Sequence, residues 1–99
     1  MGGDELVREL YGSFSDFAAA QVAWLDRLAK VQAYGGLHDG ARVLRISAQQ
    51  VGVLDAVSCC ERVEAAALAH DAAGARAGLE ALHDALAAAR PWVDALAAR

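Results

Sequence analysis

The chain has 99 residues, a net charge of -4 and 57% apolar residues, a length that suits one domain burying roughly 60 to 68% of its unfolded surface. Its charges gather into no basic stripe, which argues against nucleic acid as a partner. No apolar run approaches the roughly 20 residues of a membrane span, so the expectation is a soluble, cytoplasmic protein that does not engage a membrane.

Alanine dominates the apolar share, with one proline and few aromatic or β-branched side chains, and this composition favours helix throughout. The start, M-G-G-D-E-L, is acidic, lacks a signal core and has Leu6 where a myristoylation signal requires Ser or Thr. Residues 4–11 are predicted to form a short opening helix, broken and capped at Gly12 and Ser13. A longer helix follows, with Phe14, Phe17, Gln21, Trp24, Leu28 and Val31 spaced 3,4,3,4,3 and Ala18 and Leu25 widening the same apolar stripe. Gly35 and Gly36 are expected to end it, because glycine readily adopts the left-handed backbone of helix exits.

In the next helix Leu37, Ala41, Leu44, Ala48 and Val51 repeat at 4,3,4,3 as a buried stripe. His38, Arg42, Arg45 and Gln49 repeat beside it on a polar stripe facing outward, and Gly52 marks the end. Val53, Val57, Cys60 and Ala67 line a further helix reaching about Leu68. Asp71 is then a suitable N-cap, because its carboxylate accepts from the free backbone N–H groups of a helix start. Leu79, Leu82, Leu86, Ala89, Val93 and Leu96 form the last stripe, which Pro91 is expected to kink or split after about Ala89. Trp24 and Trp92 are expected in the core. The fold class that follows is all-α: an antiparallel up-down four-helix bundle, preceded by the short N-terminal helix, in one domain over residues 1–99.

Chemistry-bearing residues are sparse. Cys59 and Cys60 are adjacent, so their side chains diverge by about 100° on a helix, which suits neither a disulfide nor a shared metal and suggests buried free thiols. His38, His70 and His83 show no ligand spacing with the cysteines, so no metal or other cofactor is expected. Glu61 and Glu64 share a helix face as solvated or ion-paired groups, with Arg62 and Arg76 as available counter-charges.

The stretch 41–52 reads A-R-V-L-R-I-S-A-Q-Q-V-G. It resembles the reactive helix of the histidine phosphotransfer (HPt) family, patterned A-H-x-L-K-G-S-A-x-x-[LIV]-G, whose His relays phosphate between receiver domains. Ala41, Leu44, Ser47, Ala48, Val51 and Gly52 match without a gap, and Arg45 stands at the Lys. Arg42 occupies the phospho-histidine position and Ile46 the glycine that clears space for the receiver. The later C-E-R-V-E, with Glu64 lying 22 residues after Arg42, is similar to an L-E pair of the family at about its usual interval.

The resemblance implies a degenerate HPt domain of bacterial two-component phosphorelay signalling. Arg42 cannot replace the histidine, since its guanidinium stays protonated and has no lone pair with which to attack a phospho-aspartate. The implied function is a binding module, not an enzyme, that docks on the acidic face of a response-regulator receiver domain, or on a histidine kinase, without carrying phosphate. His38, Arg42, Arg45, Ile46 and Gln49 form the candidate partner face, with Arg42 and Arg45 reaching carboxylates. Two alternatives stand beside it. One is a phosphocarrier using His38, although that register loses the Leu44, Ser47, Ala48 and Gly52 matches. The other is a dimerisation or assembly bundle anchored by Ile46, Trp24 or Trp92 where these are exposed.

Overall fold

A computed structural model describes residues 2–98, with side chains from Glu5 onward. Four helices account for its regular structure: α1 (Gly2–Lys30), α2 (Tyr34–Val51), α3 (Leu54–Leu68) and α4 (Ala72–Ala97). Connections of two or three residues force each helix back along its predecessor, and each touches only its two neighbours around a closed ring, α1 also meeting α4. The result is the expected all-α four-helix bundle.

Its core is a single cluster of small and medium side chains, with Leu25, Leu37, Leu44, Leu82, Val63, Val93 and Cys60 the largest that are fully enclosed. Alanine's small side chain allows close helix approach. At Gly40 a methyl group would stand 2.7 Å from a Leu25 methyl, and at Gly78 one would stand 2.9 Å from Val63. The α2 and α4 stripes are buried or half-buried as their periodicity requires.

The α1 pattern differs from expectation in two respects. The separate opening helix does not exist, because α1 runs unbroken through Gly12 and Ser13, with Gly12 facing Ala97 of α4. The buried stripe is Phe14, Ala18, Val22, Leu25 and Leu28, whereas Trp24 and Val31 are exposed and Phe17 and Gln21 lie half-buried at its edge. α1 is held between α2 and α4 along that line, and the wide side chains of Phe17 and Trp24 are turned to its flank.

Gly35 and Gly36 do not end α1. They lie in the first turn of α2, and the left-handed residue after α1 is Gln32, with φ 56°. One device ends the first three helices. Gln32, Gly52 and His70 are left-handed, and the following N–H groups of Ala33, Val53 and Asp71 donate to the carbonyls of Leu28, Ala48 and Ala66. Asp71 also caps α4, accepting from the Gly74 N–H at 2.9 Å.

Pro91 does not split α4, which continues to Ala97. Trp92 is 41% exposed instead of core, and its ring meets Tyr11 edge-on at 6.3 Å. Gly12 opposite Ala97, Ser15 bonded to Asp94 and Asp26 bonded to His83 fix the α1–α4 register. The first turns of α1 therefore extend beyond α4, where Leu6, Val7 and Leu10 are exposed.

Candidate functional site

The five candidate residues all lie on α2. Because Leu37, Ala41, Leu44, Ala48 and Val51 turn inward, the opposite side of the helix must face out. Arg42 stands there at mid-helix, exposed, and among the described residues no carboxylate pairs with it. Ile46, one turn on, is 44% exposed, and Gln49 is exposed beyond it. Together they form a polar and apolar face with a free cation at its centre.

Arg45 is half-buried and turned toward α3. Its Nε donates to Glu64 Oε2 at 2.7 Å and its Nη2 to Glu64 Oε1 at 3.3 Å, a two-pronged contact joining α2 to α3. The hydrogen bond Arg45 donates to Glu64, and then the Glu64 charge, push the Arg45 pKa above the ordinary arginine value. Glu64 thus takes Arg45 as its counter-charge, not Arg62 or Arg76, and the expected pair of outward arginines reduces to Arg42 alone. Those two residues are the Lys-like position and the L-E-like glutamate of the sequence resemblance.

His38 begins the outward stripe one turn before Arg42. Its side chain is half-buried, and a 3.0 Å hydrogen bond joins Nδ1 to Asp39 Oδ1. Asp39 itself is 82% exposed in its side chain and points to the same side as Arg42.

Comparison with protein-family models, curated proteins and solved structures finds no match to this chain. Chemical interpretation of the face therefore rests on its own residues.

Nothing on the face supplies a nucleophile except the His38 imidazole, since a guanidinium has no free lone pair. The cysteines are buried free thiols, as expected. Burial pushes the Cys60 thiol from near 9.0 to about 12 and the Cys59 thiol in the same direction, so both stay protonated at neutral pH. Among the described residues no three His, Cys, Asp or Glu side chains converge on a common point that could hold a metal ion. No helix of the described residues is long and apolar enough to cross a membrane. The face presents the exposed guanidinium of Arg42, the exposed branched side chain of Ile46 and the exposed amide of Gln49.

Sequence reasoning missed two participants. Gly35 and Asp39 precede Arg42 and Ile46 at spacings of 4,3,4, and all four are exposed. This stripe is one step around the helix from the His38, Arg42, Arg45 and Gln49 series, and its periodicity is visible in the sequence. Trp24 is the third surprise: it is 47% exposed beneath the Arg27 guanidinium, 5.4 Å from the ring centre. The hydrogen bond from Gln21 Nε2 to the Gly40 carbonyl, at 3.0 Å, sets this part of α1 level with Gly40.

Proposed function

We propose that the protein is an HPt-like docking module of two-component phosphorelay signalling, which binds a receiver domain or histidine kinase through α2 and carries no phosphate. The observation that carries the reading is the exposed, unpaired Arg42 at the midpoint of α2 in a four-helix bundle, at the position the resemblance gives to the reactive histidine. A receiver active site is lined with carboxylates, and a free guanidinium makes charge-assisted, two-pronged hydrogen bonds to such groups. Ile46 beside it adds apolar area to the contact. Arg45 supports the reading indirectly, by bonding α2 to α3 and fixing the helix that presents Arg42.

The His38 carrier is the second reading. Its support is the Asp39 carboxylate at 3.0 Å, which holds one imidazole nitrogen and leaves the other to react. One assay separates the two: incubation with a phosphate-labelled receiver, with binding measured on the same samples. The docking reading expects no acid-labile label on the natural protein, binding weakened about tenfold or more by Arg42→Ala, and label acquired by Arg42→His. Acid-labile label on the natural protein that disappears in His38→Ala overturns it in favour of the carrier.

A further inference from the structure

The outward stripe of α2 has an order that is its own complement when reversed. Gly35, Asp39, Arg42 and Ile46 follow one another at 4,3,4 and point away from the core. In chemical terms they read small, acid, base, large. Laid antiparallel against itself, with a two-fold axis midway between Asp39 and Arg42, the stripe sets Asp39 opposite Arg42 of a second copy and Ile46 opposite Gly35 of that copy. The symmetry then repeats both contacts, giving two ion pairs flanked by two side chains seated over glycines.

Each position is free to take part. Among the described residues Asp39 is engaged only by the adjacent His38, and no carboxylate pairs with Arg42. Gly35 has nothing within 4 Å of where a side chain would begin, so the space over it is open to Ile46 of a second copy. The parallel alternative sets Asp39 on Asp39 and Arg42 on Arg42, which like-charge repulsion disfavours. Val43, the residue after Arg42 and 49% exposed, adds apolar area at the edge of the stripe.

The available area also indicates strength. With 18 residues, α2 is about 27 Å long. Across a bundle about 20 Å wide the face offers about 500 Å² per copy, hence about 1,000 Å² in all, the lower end for specific association.

We infer that two copies of this chain pair reversibly through antiparallel α2 helices, and that pairing covers the Arg42–Ile46 face and so competes with partner docking. The competition rests on the function proposed above; the pairing rests on the stripe alone. In the resulting regulation, a rise in concentration stores the protein as a closed dimer, and dilution or an acidic partner releases the docking face.

Charge exchange tests the pairing without any partner present. Sedimentation is followed from about 10 µM to about 1 mM, the range in which a weak dimer dissociates, for the natural protein, Asp39→Arg, Arg42→Asp and the double exchange. The expected result is a concentration-dependent dimer, weakened about tenfold or more by either single reversal and regained in the double exchange. Circular dichroism checks that all four remain helical. A natural protein that stays monomeric throughout, a dimer indifferent to the reversals, or a double exchange no better than the singles overturns the pairing. The natural protein then addresses the competition: its apparent affinity for a receiver should fall as its own concentration is raised through the range in which it pairs. Unchanged receiver affinity alongside a confirmed dimer overturns the masking alone, whereas absent receiver binding with a confirmed dimer counts against the docking function and leaves the pairing standing.

Discussion

At the scale of single residues, the two arginines of the α2 motif have opposite fates, and neighbouring helices decide between them. Arg45 meets Glu64 on α3 in a half-buried pair, while Arg42, three residues earlier, is exposed to solvent. Removing one member of such a pair leaves the other charge without its two-pronged partner, so the two losses are coupled. Arg45→Ala and Glu64→Ala should each lower the unfolding midpoint, and the double variant should lose less than the sum, as read by thermal denaturation of all four proteins. Strict additivity would show that the pair does not hold α2 to α3. This coupling is only partly legible in the sequence: the interval from 42 to 64 is visible, yet Arg62 and Arg76 are the counter-charges nearest to hand for Glu64, because periodicity orders residues around one helix and says nothing of what stands across the groove. Trp24 was misplaced for a related reason. A stripe drawn through the largest side chains favours Trp, whereas the packing here selects the smaller Ala18 and Val22 that let α1 approach its neighbours.

At the scale of elements, helix interiors were easier to read than helix ends. The inward stripes of α2 and α4 follow from spacing alone, and Asp71 and Gly52 mark their boundaries by chemistry that is written in the residue type. Gln32 and His70 carry no such sign. Both occupy left-handed backbone that glycine tolerates better, and the pair Gly35–Gly36 drew attention to the wrong side of the turn. Relief of the left-handed strain, offset by the greater freedom of glycine in the unfolded chain, predicts that Gln32→Gly stabilises by about 0.5–1 kcal/mol. His70→Gly should gain less, because the His70 ring stacks on Tyr34 with centres 4.7 Å apart and that contact is lost. Chemical denaturation of both variants measures the difference; an equal gain would mean that the stack contributes nothing. Pro91 and Gly12 show the converse limit. Each is unfavourable inside an isolated helix, yet α1 and α4 pass through them because Val93 and Phe14 nearby are buried in the shared core.

At the scale of the whole molecule, the bundle is a ring in which α1–α2, α2–α3 and α3–α4 are successive hairpins and only α1–α4 joins distant parts of the chain. Composition and short connections made this architecture legible before any contact was known; the outward face was less so, because its meaning depends on which cations remain unpaired once the ring is closed. Closure has a mechanical consequence. Gly12 lies against Ala97, and the two helices run antiparallel from that point. Tension applied at residues 12 and 97 therefore acts across the seam and not along it, so it loads the Ser15–Asp94 contact first and the Asp26–His83 contact only later. The bundle should open under pulling as a zipper opens, one turn at a time and at low force, while the same tension applied between residues 30 and 97, along the seam, meets all of those contacts at once and requires more.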